Sequence, residues 1–122
     1  MMKRPWGDPR PFLFVEGTMA EAGCWHWDEV APYGDAKADR RLIAGRAGDV
    51  KRVAVKAGHV AAWHSHVFEQ FVLVESGDGM LTWEGGEMAL RPGVVIHFEP
   101  NVWHEARFET DTVLLEVNFR EE

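Results

Sequence analysis

The sequence predicts an all-β protein, an antiparallel sandwich or barrel of about nine short strands. Two observations carry this. Turn signals, in which Gly joins Asp, Pro or a second Gly, recur about every 8 to 12 residues from Arg41 onward. Between them the apolar residues alternate or form short runs, and no helical period intervenes. The length adds a third constraint: 122 residues make one domain, 1–122, with one core. The expected division is an irregular arm and early strands over 1–49 and a strand core over 50–119.

Each element has its own signal. Pro5, Pro9 and Pro11 make an irregular arm, and Phe12 to Val15 is read as a short edge strand. Trp25-His26-Trp27 alternates aromatic and polar, which suits both Trp rings on one face of a short strand or on a wall next to the barrel. His26, a lone histidine, reads as structural or solvent-facing. Pro32 to Arg40 is polar, contains Gly34 and Asp35, and reads as a loop. Leu42 and Ile43 begin a short run ended by Gly45. Val50, Val53 and Val55, interleaved with Lys51, Arg52 and Lys56, give a half-buried strand. Val60 to His66 is the next strand and Gln70 to Glu75 the one after. Ser76-Gly77-Asp78-Gly79 is expected to be a hairpin turn, because Gly and Asp accept positive φ. Met80 to Glu84 and Glu87 to Leu90 flank a turn at Gly85-Gly86. Pro92-Gly93 precedes a strand over Val94 to Phe98. Trp103 to Phe108 and Thr112 to Phe119 complete the set.

Composition excludes several function classes. The formal net charge is −7, which argues against nucleic acid and anionic membrane surfaces, since both call for a basic face. Cys24 is the only cysteine, so there is no intrachain disulfide framework. Met1 to Pro9 has two basic residues with no apolar run behind them, unlike a secretory signal. No stretch approaches the roughly 20 apolar residues that span a bilayer. A reducing cytoplasm is the expected location.

The chemistry concentrates in Gly58 to Gly77. His64 and His66 stand at i and i+2, a spacing that points both imidazoles to one face of a strand. If they point inward, Ala62 does too. On the next strand Gln70, Val72 and Val74 share one face, while Glu69, Phe71, Leu73 and Glu75 share the other. Glu69 and Gln70 therefore point to opposite faces, and only one of them can join the histidines as an oxygen donor. Two imidazoles and a side-chain oxygen make a divalent-metal half-site.

This stretch resembles the first motif of the cupin family: Gly, five residues, His-x-His, three or four residues, Glu, six residues, Gly. Gly58, His64, His66 and Gly77 fit it, and Gln70 stands in the Glu position. Gly86, then Pro92-Gly93, then His104 resembles the family's second motif, with Arg107 where an Asn is usual. The resemblance implies a double-stranded β-helix, a jelly-roll barrel with the site inside. It also implies one divalent transition metal (Zn, Mn, Fe, Ni or Co) on His64, His66, Gln70 and His104. All four ligands are neutral, so the ion keeps its 2+ charge, and coordination positions stay open.

The string His64-Ser65-His66-Val67-Phe68-Glu69-Gln70 is similar to that of small monocupins that ketonise unsaturated uronates, in which an acid on a late strand assists a three-His, one-Gln site. Glu116 stands in that region, sharing a face with Leu114 and Asn118, while Val113, Leu115, Val117 and Phe119 share the other. The sequence leaves open which face looks inward. The expected activity is isomerase- or lyase-type proton transfer on a carbonyl or enol of a small sugar- or uronate-derived molecule, with Glu116 as the catalytic acid or base. The alternatives are a dioxygenase of the quercetinase or β-diketone-cleaving sort, and a non-catalytic ligand-binding or sensing module. His97 reads as a rim residue. Trp63, Trp83, Trp103, Phe68 and Phe98 are expected as pocket walls. Small cupins usually pair through their sheets, so a homodimer is expected through the Phe71/Leu73 or the Val113/Leu115/Val117 face.

Overall fold

The computed structural model describes residues 22–120, so the proline-rich arm and the strand expected over Phe12 to Val15 lie outside the described residues. Nine strands follow one another: β1 (Ala38–Ala44), β2 (Gly48–Val55), β3 (Val60–His64), β4 (Gln70–Ser76), β5 (Gly79–Trp83), β6 (Gly86–Leu90), β7 (Val95–Phe98), β8 (His104–Phe108) and β9 (Thr112–Phe119). They form a five-stranded sheet in the order β1-β2-β9-β4-β7 and a four-stranded sheet in the order β3-β8-β5-β6. All the pairings between them are antiparallel. This is the jelly-roll arrangement expected of a double-stranded β-helix. No described helix is long and apolar enough to cross a membrane.

The core lies between the sheets. Val53, Val55, Val72, Val74 and Leu114 enter it from the larger sheet, and Leu81, Leu90 and Phe108 from the smaller one. Alternation does the sorting. On β4, Gln70, Val72 and Val74 are buried while Phe71 and Leu73 are half-exposed, because successive side chains point to opposite faces. Burial of each core Val or Leu stabilises the fold by roughly 1.5–3 kcal/mol.

Four local expectations are corrected. Trp25-His26-Trp27 is not a strand: Trp27–Glu29 is a 3-10 turn with His26 as its N-cap, the imidazole accepting from the Asp28 amide. The loop read over Pro32 to Arg40 is shorter, since β1 begins at Ala38 and Tyr33 forms a bridge with Arg40. Polar residues there mark an edge strand, where charged side chains are usual. Ser76 to Gly79 is not a hairpin, because β4 and β5 belong to different sheets; the segment crosses between them. Gly77 turns this corner with φ +90, and a Cβ there would collide with Thr112 Oγ1. Finally, β3 ends at His64 and not at His66. The β3–β8 register shifts between Ala61 and His64. That bulge brings Ala61 to the cavity and leaves Ala62 exposed, reversing the parity expected for Ala62.

Candidate metal centre

A cavity of about 300 Å³ opens between the sheets. His64, at the end of β3, and His104, at the start of β8, are paired across the strands. His66 follows in the connection to β4. The amide of Asn101, in the left-handed conformation with φ 68, donates to the carbonyl of His66 at 2.6 Å. This bond ties the first motif to the loop that leads into His104. The three imidazoles offer ligand nitrogens that all lie within 4.8 Å of one another.

Backbone contacts set the tautomers. Nδ1–H of His64 donates to the carbonyl of Ala62 at 2.6 Å, and Nδ1–H of His104 to that of Val102 at 2.9 Å. A carbonyl only accepts, so these Nδ1 atoms carry the protons and the Nε2 lone pairs remain free. This is the usual outer contact of a metal-binding histidine. Desolvation, with the neighbouring His104, His64 and Lys51 adding to it, lowers the His66 pKa to about 4. Burial also lowers that of His104, against the opposing effect of its bond to Val102. His66 is therefore an unprotonated nitrogen donor at neutral pH.

The five-stranded sheet supplies the opposite wall. Gln70 is buried and faces the cavity, as β4 parity and the resembled motif together imply. Its amide Nε2 donates to Asn118 Oδ1 at 2.7 Å and, less closely, to Glu116 Oε1 at 3.4 Å. A carboxylate only accepts, which fixes the amide's orientation and leaves Oε1 free as a donor atom for a cation. Glu116 itself lines the cavity, so the Leu114/Glu116/Asn118 face is the inward one. Three imidazoles with one amide oxygen fit a divalent transition metal by donor type and by preset tautomer.

The structure also admits a residue that sequence reading missed. Lys51 lines the same cavity, with its Nζ 3.4 Å from Glu116 Oε1. The two are direct partners in the β2–β9 ladder. The sequence signal was available: Lys51 shares strand parity with buried Val53 and Val55.

Other expected residues separate. Glu69 does not reach the histidine cluster; it bonds His97 Nε2 at 2.6 Å on the outer side, with Glu99 at 3.6 Å from the same nitrogen. Phe68 and Phe98 do line the cavity, and their rings stack on His66 and His104 respectively. Trp63 and Trp103 are not walls: they are 46% and 44% exposed and stack on each other. The β3 bulge places Trp63 outside. Trp83 packs against the core without lining the cavity.

Comparison with known proteins agrees with this fold. No curated protein matches the sequence. Among solved structures, an RmlC-like cupin from Shewanella frigidimarina superposes with a TM-score of 0.75 at 15% identity, covering 84% of this chain and 94% of the other. KdgF from Halomonas sp. gives 0.68 at 21% identity, covering 77% and 92%. A predicted oxalate decarboxylase from Thermotoga maritima gives 0.68 at 15% identity, covering 79% and 97%. At these identities the likeness is one of fold. A family model described as Cupin domain matches residues 51–118, which is more than half of the chain and holds every histidine of the cluster. On that match the chain belongs to the cupin family.

Proposed function

We propose that this cupin binds one divalent transition metal through His64, His66, Gln70 and His104 and catalyses isomerase- or lyase-type proton transfer on the carbonyl or enol of a small, sugar- or uronate-derived molecule. The observation that carries this reading is the placement of Glu116 on the same cavity as the three imidazoles. When bound, the metal supplies Lewis acidity at a substrate oxygen. Glu116 supplies the proton-transfer group: its Oε1 is engaged by Lys51 and Gln70, which leaves Oε2 to accept or return a proton. Gln70 holds its amide toward Glu116 and Asn118 and so positions the carboxylate. Phe68, Phe98 and Ile96 make the adjoining walls apolar and keep bulk water from competing for the proton. A cavity of about 300 Å³ holds on the order of ten waters' worth of ligand, which suits a metabolite and not a polymer. The description of the Thermotoga neighbour as a predicted oxalate decarboxylase is in keeping with small-molecule lyase chemistry on this fold.

Two measurements test the reading. Elemental analysis of the purified protein is expected to give one equivalent of a transition metal. Glu116→Gln is expected to keep that metal and lose turnover by about 10²–10⁴-fold on an unsaturated uronate. Full turnover in the variant removes Glu116 from the chemistry, and oxygen consumption with an enolic substrate moves the activity to the dioxygenase class.

The outer face of the five-stranded sheet supports a homodimer. The register sets Leu115 beside Leu73 and Val117 beside Phe71, so the two apolar faces considered separately in the sequence adjoin, with Arg52 beside Leu115 and His97 beside Phe71 at the borders. Exposed Val50 and Val95 extend them on either side. An antiparallel sheet normally turns polar residues to water, and an apolar outer face of this extent suits a two-fold contact with a second copy.

A further inference from the structure

We propose that Lys51 is the anion-anchoring residue of the cavity and that the ligand it anchors carries a carboxylate. Lys51 lies on the inward face of β2, and its side chain is only 21% exposed. An ammonium has three donors. Among the described residues its one charged partner is Glu116, 3.4 Å away, and that same oxygen is already shared with the Gln70 amide. An ammonium taken largely out of water needs more than one long contact to offset its desolvation. The remaining donors belong to whatever fills the cavity that Lys51 lines.

Charge then selects the ligand class. The three imidazoles and Gln70 are neutral, and Lys51 and Glu116 cancel. With a dication on the histidines, a step that rests on the metal reading above, the cavity carries an uncompensated 2+. Its apolar walls strengthen that field. A neutral polyol would leave this charge uncompensated, whereas a carboxylate offsets it and accepts the free Lys51 donors. A phosphate concentrates up to two charges on one group beside the Glu116 carboxylate, whereas each carboxylate brings only one, so the carboxylate is the better match for Lys51. With the metal bound, Lys51 would hold the carboxylate of a small acid at the cavity wall it shares with Glu116.

The test uses malonate as probe, titrated calorimetrically into the metal-loaded protein, with uncharged malonamide and inorganic phosphate beside it. Malonate is expected to bind, malonamide to bind at least about tenfold more weakly, and phosphate more weakly than malonate. Lys51→Met and Lys51→Gln are each expected to weaken malonate about tenfold or more, the loss of a charge-assisted hydrogen bond, with metal content unchanged. Lys51→Arg should stay within about threefold. Glu116→Gln, which frees the ammonium, should tighten malonate several-fold, a gain that a purely structural ion pair would not produce. Wild-type affinity in both Lys51→Met and Lys51→Gln overturns the proposal, as does equal binding of malonamide or tighter binding of phosphate. If the protein takes up no metal, the metal reading fails separately. Malonate titration of the metal-free wild type and Lys51→Met then decides on Lys51 alone: a difference sustains the anchor and equality overturns it.

Discussion

Around the cavity the two faces of the five-stranded sheet invert the usual order, although the same inner face also supplies Val53, Val55, Val72, Val74 and Leu114 to the core. There the inner face carries Lys51, Glu116, Gln70 and Asn118 in adjacent register, while the outer face carries Val50, Val117, Phe71, Leu115, Leu73 and Val95, bordered by Arg52 beside Leu115 and His97 beside Phe71. Ordinary antiparallel sheets bury the apolar set and wet the polar one. The inversion has a cost on both sides, because buried polar groups need partners and exposed apolar ones forgo burial. The inner groups are held by one another and border a cavity, which supports the ligand reading; the outer set supports the proposed contact with a second copy. The histidines follow the same division. His64, His66 and His104 meet inside as free nitrogen donors, whereas His97, outside on β7, has Nε2 bonded to Glu69. Both groups bring ligand atoms within 4.8 Å of one another. Their environments distinguish them: His64 and His104 have their Nδ1 protons committed to backbone carbonyls, while His97 is satisfied by a carboxylate in solvent.

The sharpest way to break this comparison is to remove one side chain from each face. Gln70→Ala is expected to lower metal affinity by more than the roughly 10–100-fold cost of losing an outer contact of a metal ligand, and His104→Ala to abolish binding. His97→Ala should leave stoichiometry and affinity at wild type. Metal titrations of the three variants decide it, and a comparable loss in His97→Ala would make the outer cluster a binding site.

The outer face is tested by charge. Leu115→Arg places a cation within the apolar patch, and two-fold symmetry would place it there twice. Desolvating it costs several kcal/mol, so light scattering at micromolar concentration should show a monomer for the variant and a dimer for the wild type. A wild-type monomer removes the interface.

The smallest effect concerns the dryness of the inner side. The pKa of His66 falls to about 4 in the folded chain, against about 6.5 in the unfolded one. The unfolded state therefore binds more protons between these values, and stability falls as pH is lowered from 6.5 to 4. In metal-free protein the loss attributable to His66, discounted for partial exposure, is on the order of 1–2 kcal/mol. Denaturant melts across that range should show a shallower slope in His66→Gln, and an unchanged slope would mean that water reaches the imidazole.

Much of the site was legible because its grammar is local. The parity of 70, 72 and 74 set Gln70 and Glu69 on opposite faces, and the spacing of the resembled motif chose Gln70 as the inward one, as observed. Short-range parity failed where the backbone broke its own period. The bulge in β3 sent Ala61 inward, Ala62 and Trp63 outward, and ended the strand before His66. Turn chemistry marked the corner at Gly77, yet the same residues serve a hairpin or a crossing between sheets. Lys51 was missed because charge was read as exposure, although its parity with Val53 and Val55 pointed inward.

By itself the sequence determined the strand count, the turn positions, the two histidine motifs and the family they resemble, since each depends on residues a few positions apart. Only the tertiary structure decided that Glu116 faces the cavity, that Lys51 stands beside it, and that two apolar strand faces adjoin. Those facts depend on β9 lying between β2 and β4. Such pairings between strands distant in the chain are chosen by the packing of the whole core and not by any local pattern.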